Sequence, residues 1–324
     1  MKRLEYLMRR VFQAVCILLV IAVVNFMLIR AAPGDPASVM AGEAGASDPI
    51  FVAQLRERFG LDKPLPVQLL TYVGHVARLD LGESYRQQRP VASLIAERLP
   101  ATLILTLTAF VAALTFGVTL GAWSSAKAGT WMDSLVTTFS MIFYATPLFW
   151  LALMAVLLFS VKLDWLPGFG YETVGSGYAG MARFIDIVKH LVLPATVLAV
   201  FYMAVYARMT RTSMLEVAQM DFIKTARAKG LTPGRILRRH ILRNALLPVI
   251  TLAGIQAGAM VGGAVLIETV FAWPGIGRLM FDALVQRDYN LLLGTFLVTA
   301  ALAVAFNVVT DLLYTLVDPR IELK

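Results

Sequence analysis

Apolar positions in this chain fall into long unbroken runs, with the polar positions gathered between them. A helix needs about 20 consecutive apolar residues to cross the hydrocarbon core of a bilayer. Six stretches reach or approach that length: Val11–Ile29, Thr102–Ser125, Met132–Val161, Leu191–Tyr206, Ala245–Ile267 and Leu291–Val317. The pattern predicts six transmembrane helices. The third run is too long for one perpendicular span, so it is expected to tilt, to bend at Pro147, or to extend beyond the membrane. The fourth is short, and its ends are the hardest to set.

The long polar segment 30–99 has a periodicity of its own. Asp48-Pro49, Pro66 and Pro90 each open an amphipathic stretch, and proline is favoured in the first turn of a helix. Asp48 reads as an N-cap and Gly60 as a helix stop. Phe51, Leu55 and Phe59 share one face, as do Leu69, Val73 and Val76. Helices of this kind lie on a membrane surface or pack over helix mouths; a folded cap without a ligand is the plainer alternative.

Composition supports the membrane reading. The 324 residues are 58% hydrophobic and 15% charged, with a mean hydropathy of +0.72, too little charge for a soluble domain of this size. The net charge of +8 does not indicate nucleic acid, because the excess flanks the apolar runs. The lone cysteine, Cys16, lies inside an apolar run and reads as packing. Basic Met1–Arg10 followed by apolar Val11–Ile29 resembles a signal peptide, but the run is long for one. A cut after Ala32 would also place Arg30 where a small residue is wanted. The segment is therefore read as a retained helix.

Lysine and arginine set the orientation. With the N-terminus inside, the inner segments hold Lys2, Arg3, Arg9, Arg10, Lys127, Arg320, Lys324 and the whole of a basic loop. The short outer segments are balanced in charge. Both termini are thus expected in the cytoplasm. The basic loop, 208–244, carries nine cations against two acids, Glu216 and Asp221. Its helix signals are clear. Asp221 can cap a helix start and Gly230 can take the left-handed conformation that stops one. Phe222, Ile223 and Ala226 fall on one side, surrounded by Lys224, Arg227 and Lys229. Thr232-Pro233 gives a second cap with proline at the next helix's first position, and Pro248 marks the start of the fifth span. A short helix with a small apolar face and a cationic rim suits a groove on another protein. It also suits anionic lipid headgroups. The small residues Ala226 and Ala228 favour protein.

The segment resembles the EAA loop of ABC-importer permeases. The general pattern starts Glu-Ala-Ala, with a glycine four positions after the last alanine; here those places hold Lys224, Thr225, Ala226 and Gly230. The first two residues depart from it, and the closing Leu247-Pro248 comes late. Both departures are usual in the dipeptide/oligopeptide/nickel branch, whose typical Thr-Ala-Arg-Ala-Lys-Gly-Leu stands at 225–231. Further stretches resembling that branch run in order along the chain. They are Ala32-Pro33-Gly34-Asp35-Pro36, Phe59 to Leu65, Asp80-Leu81-Gly82-Glu83-Ser84, Arg98-Leu99-Pro100-Ala101-Thr102, Glu268 to Phe271 with Pro274 to Gly277, Arg287-Asp288-Tyr289, and Val317 to Arg320. The extended N-terminal region is similar to the first of the two permease paralogues such importers pair.

The resemblance implies an all-α type I permease fold in a prokaryotic inner membrane. Residues 1–97 would hold the first helix and an extracytoplasmic helical segment, and 98–324 the core permease domain. It implies a homologous second permease, two cytoplasmic ABC ATPases, an external substrate-binding protein and membrane lipid as partners. It implies ATP and Mg on the ATPases, no cofactor on this chain, and peptide as the cargo, with longer peptides, glutathione-like molecules and nickel complexes also used in the branch. Asp221, Phe222, Ile223, Lys224, Thr225, Ala226, Arg227, Ala228, Lys229 and Gly230 would form the ATPase-coupling helix, a mechanical part without chemistry.

The chain carries no phosphate-loop motif. Gly175 to Gly180 fits Gly-x-Gly-x-x-Gly by spacing but follows no strand. His75, His190 and His240 lack metal-ligand spacing. Gly254, Gly258 and Gly262 recur every fourth residue in the fifth span, a face for close helix packing or for a pathway. Among intramembrane polar groups, which are costly unless they face the bundle or water, Tyr144, Gln256, Asn307 and Asp311 are pathway candidates. Glu268 is read as a gate or docking residue near the outer mouth. Two other classes compete. An ion-gradient-driven transporter would need midplane carboxylates or inverted repeats that are not evident. A membrane receptor or assembly subunit would move nothing.

Overall fold

The computed structural model describes the backbone of residues 2–31, 49–58, 62–84 and 86–317. Side chains are described over 8–28 and 49–310, apart from 51, 55, 58–61 and 85. Asp48, Gly60, the motif at 32–36 and the side chains of Phe51, Leu55, Phe59 and Asp311 lie outside the described residues. Within them the chain forms helices, with one isolated bridge pairing Glu83 and Pro90. The order is α1 (Lys2–Ala31), α2 (Pro49–Arg58), α3 (Leu65–Ala77), α4 (Val91–Ala126), α5 (Trp131–Ala145) and α6 (Leu148–Lys162), then α7 (Gly180–Ala218), α8 (Asp221–Ala228), α9 (Pro233–Val270), α10 (Ile276–Val285) and α11 (Tyr289–Val317).

Among the described residues α1, α4, α7, α9 and α11 are long and apolar enough to cross a bilayer, and α5 with α6 forms a sixth, broken span. The third apolar run does not tilt as one rod. It bends by 104°, because Pro147 has no N–H to donate and disfavours helical backbone at Thr146. Thr146 is extended (φ −84°, ψ 129°) and closes α5, while Pro147 caps α6.

The fourth span is far longer than its apolar run. α7 has 39 residues, and its polar ends are buried against neighbouring segments. Near the start, the buried Asp186 carboxylate accepts hydrogen bonds from Thr173 N (2.6 Å) and Thr173 Oγ1 (2.8 Å). Near the end, Thr210 and Ser213 are buried. α4 and α9 likewise begin well before their apolar runs and carry Pro100 and Pro248 inside the helix. Pro248 therefore does not open the fifth span. That helix starts at Pro233 and passes through a π-wound stretch, Ile236–Leu242.

The chain divides into two compact units, 1–99 with 279–302, and 100–278 with 303–322. In the first unit α3 packs on α1, with Phe26 and Tyr72 rings 6.0 Å apart. Asn25 of the first span is buried, and its Nδ2 has no hydrogen-bond partner among the described residues. Two sequence motifs separated by some two hundred residues meet here. Ser84 Oγ donates to Asp288 Oδ2 (2.5 Å) and Asn290 Nδ2 donates to the Glu83 carbonyl (3.1 Å). Beside them Asp80 accepts the Gly82 N–H (3.0 Å) and pairs with His75 (2.8 Å), which together hold its carboxyl below the usual carboxylate value.

The second unit packs α7 against α9 and α5, with α6 touching both α7 and α9. Its core contains Leu105, Ala109 and Ala113 from one face of α4, with Leu198, Tyr206, Met260, Ala264 and Ile267. Four-residue spacing puts the α4 positions in line, and small side chains there let helices approach closely without a hydrophobic drive from water.

Candidate functional site

α8 is a two-turn helix standing on a platform made by its own chain. Ile223 is fully buried and Ala226 nearly so. They pack with Met214 and Val217 from the end of α7 and with Ile236, Ile241 and Ala245 from the start of α9. The apolar face expected to enter a foreign groove is therefore taken up within the chain. Phe222, predicted on that face, is 42% exposed, and Lys224, Thr225, Arg227, Ala228 and Lys229 point outward with it.

The ends of α8 differ from one another. Met220, not Asp221, is the residue before the first turn, and no side chain caps the N–H groups. Asp221 is the first helical residue, and its carboxylate binds Lys224 Nζ at 2.8 Å, one turn on. Its charge still complements the positive end of the helix dipole. At the other end Gly230 has φ +76°. The Gly230 N–H reaches the Arg227 carbonyl (2.9 Å) and the Leu231 N–H reaches Ala226 (3.3 Å), the left-handed stop expected of glycine. Thr232 precedes the next helix with Pro233 in its first position, but the threonine hydroxyl makes no capping bond.

The glycines of α9 divide. A methyl group built on Gly254 would sit 2.5 Å from Thr310 Cγ2, and one on Gly258 would sit 2.8 Å from Asn307 Oδ1 and 3.0 Å from the Ala303 carbonyl oxygen. These two faces are where α11 lies against α9, and Asn307 belongs to that contact. Gly262 has nothing within 4 Å of such a methyl. Gln256 Oε1 is buried and has no hydrogen-bond partner among the described residues. Tyr144 is exposed, with its ring stacked 6.0 Å from Phe201.

Glu268 stands in the last turn of α9. It is fully buried and its carboxylate is the acceptor of a closed network. Thr102 Oγ1 donates to Oε1 (2.6 Å), and the Gly277 and Arg278 N–H groups donate to Oε2 (2.7 and 3.1 Å). Thr102 Oγ1 in turn accepts the Ile276 N–H (2.8 Å), and Trp273 Nε1 donates to the Ala101 carbonyl (2.9 Å). This ties the turn after α9 to α4, and it joins the Arg98–Thr102 motif to the Glu268–Gly277 motif.

One cluster was not singled out from the sequence. Asp133, at the start of α5, accepts Arg211 Nε (2.6 Å) and Nη2 (2.7 Å), Ser124 Oγ (2.5 Å) and the Gly129 N–H (3.0 Å). An acid just inside an apolar run was its only signal; nothing in the sequence identified Arg211, 78 positions on, as its partner. Among the decoys, Gly175 and Gly177 have positive φ in an open loop, as does Gly180 at the start of α7. His190 Nδ1 lies 2.8 Å from the Asp186 carbonyl oxygen inside α7.

Comparison with known proteins agrees with this architecture. Residues 113–323 match the family described as Binding-protein-dependent transport system inner membrane component. Residues 3–106 match Binding-prot-dependent transport system membrane comp, N-term. The chain is 42% identical to the di/tripeptide transport system permease protein DppB of Pseudomonas aeruginosa (strain UCBPP-PA14), over 98% of this chain and 99% of that one. It is 40% identical to the oligopeptide transport system permease protein AppB of Bacillus subtilis (strain 168), with the same coverage. Among solved structures, the MetNI methionine ABC transporter in an inward-facing conformation superposes with a TM-score of 0.56 at 19% identity, covering 70% of this chain and 97% of that chain. With this fold, these motifs and these relatives, the chain belongs to the binding-protein-dependent family of multi-pass inner-membrane components, the permease subunits of ABC importers.

Proposed function

We propose that this chain is the permease subunit of an ATP-driven importer of di- or oligopeptides, forming half of the translocation pathway with a homologous second permease. Two cytoplasmic ABC ATPases grip the coupling helices, α8 here and its counterpart on the second permease, bind ATP and Mg, and perform the hydrolysis. An external binding protein delivers the peptide. Both termini and the 208–244 loop lie in the cytoplasm, a placement supported by the concentration of lysine and arginine there. Residues 1–97 form the first helix and its extracytoplasmic segment, and 98–324 form the permease core.

One observation carries the reading: α8 is rigidly backed by its own core while Phe222, Thr225, Ala228 and three cations remain outside. A lipid-bound helix would turn its apolar side to the bilayer. Here that side is spent on the platform, so force applied to the outer face of α8 passes directly into the ends of α7 and α9. Asp221 to Gly230 is the coupling element in this reading. Tyr144 and Gln256 are its pathway candidates. Gly254, Gly258 and Asn307 serve helix contact, and Glu268 serves architecture.

The test is reconstitution of the whole assembly in vesicles, with labelled dipeptide supplied through the binding protein. Uptake that requires ATP is expected. Uptake driven by an ion gradient without ATP would overturn the proposal. ATPase stimulation without accumulation would favour the receptor alternative. Arg227→Glu is expected to weaken retention of the ATPases; unchanged co-purification would point to lipid contact at α8.

A further inference from the structure

α5 and α7 flank a half-open cavity of about 460 Å³, within the roughly 300–1,000 Å³ range of small-molecule sites. Two polar stripes face it. Thr137, Ser140 and Tyr144 stand on one side of α5 at helical spacing, and Arg208 and Thr212 stand one turn apart on α7. Polar side chains on a membrane span such as α5 are placed toward protein or water rather than hydrocarbon, and Arg208 and Thr212 stand where α7 passes into the cytoplasmic loop. The remaining walls are soft and apolar, from Met141, Met209 and Leu252.

The charge of this cavity is unbalanced. Arg211 also lines it, but its Nε and Nη2 are held by Asp133 and its charge is paired there. Arg208 has no acidic partner among the described residues and is exposed. One guanidinium thus lines a polar-striped cavity with its hydrogen-bonding fork unused among the described residues.

We infer that this cavity is a station on the permease for the peptide itself, in which Arg208 binds the terminal carboxylate. The inference rests on the peptide-importer reading. A guanidinium fork matches a carboxylate bidentately, and the terminal carboxylate is the group that unmodified peptides share. Thr137, Ser140 and Thr212 supply hydroxyls for the neighbouring amide. Methionine walls adapt to side chains of differing shape. The site fixes the constant end of the cargo and tolerates its variable part.

The experiment uses the assembled transporter in vesicles with Cys16→Ala and Ser140→Cys in this chain. The labelling rate of the new thiol by a polar thiosulfonate is read by the mass of this subunit. A free-acid dipeptide is expected to slow labelling, and the same dipeptide with a C-terminal amide is not. Adding Arg208→Gln is expected to raise the protective concentration of the acid about tenfold or more, the loss of one charge-assisted bond, with Arg208→Lys intermediate. Equal protection by acid and amide, no protection by either, or protection by added anionic phospholipid alone would overturn the inference. The acid-against-amide comparison needs no change at Arg208, so it stands even if that variant fails to assemble. ATP-driven uptake by the unaltered complex is measured alongside. Failed uptake sinks the importer reading, whereas intact uptake without protection sinks only this site.

Discussion

Glu268 shows how a single buried carboxylate can organise a turn. Three donors converge on it, and two of them are main-chain N–H groups. Glu268→Gln keeps the size but turns one oxygen into a donor facing donors. It is expected to lower the stability of the purified subunit by about 2–3 kcal/mol, with a loss of Tm in detergent, since a buried unmet donor costs about 1–3 kcal/mol. Gly275→Ala should do the same by a different route, because a methyl there would overlap the Glu268 carboxylate. An unchanged melting curve for both would mean that the network carries no load. The sequence placed Glu268 in a recognisable motif near the outer mouth but could not show the donors around it. An acid next to an apolar run looks the same whether it faces water or a ring of donors, and only the fold brings Thr102 across to it.

At the scale of the element, α8 was legible in its bounds and its stop, and misread in its facing. Periodicity put Ile223 and Ala226 on one side correctly, but could not say that the partner for that side is the chain's own α7 and α9. The consequence is a division of labour along eight residues. Ile223→Asp would bury an unpaired charge in the platform and is expected to abolish assembly altogether. Phe222→Ala should leave the subunit folded and membrane-inserted yet reduce ATP-driven uptake; full uptake by that variant would remove Phe222 from the coupling surface. Gly230→Val should also lose uptake while insertion persists, because a β-branched residue at φ +76° is a conformational outlier costing at least about 1–2 kcal/mol. Helix length was the other blind spot. The apolar run of α7 ends where its buried Asp186 and Thr210 begin, so hydropathy saw only the middle of a 39-residue helix.

For the whole molecule, the number of spans followed from hydropathy and the connections between them did not. The pair Asp133–Arg211 is the clearest case. It joins α5 to α7 within the second unit, and α7 runs on toward the platform under α8. Breaking such a pair from one side leaves a poorly hydrated charge behind, at a cost of about 3–5 kcal/mol when burial is complete and less here, where Arg211 is partly exposed. Asp133→Ala is therefore expected to reduce the yield of folded complex. The exchange Asp133→Arg with Arg211→Asp is expected to recover part of it, measured as complex recovered by size exclusion. No recovery would show that the Ser124 and Gly129 bonds, rather than the ion pair, are what matter.

The elbow at Thr146-Pro147 has a consequence for what must surround this subunit. Where a helix is interrupted within the hydrocarbon layer, main-chain oxygens of the preceding turn lose their donors. Oil offers no replacement, so such a break is tolerated only beside protein or water. Thr146 meets part of this need by donating its N–H and hydroxyl to the Ile142 carbonyl, and any carbonyl left over at the elbow calls for protein or water beside it rather than lipid tails.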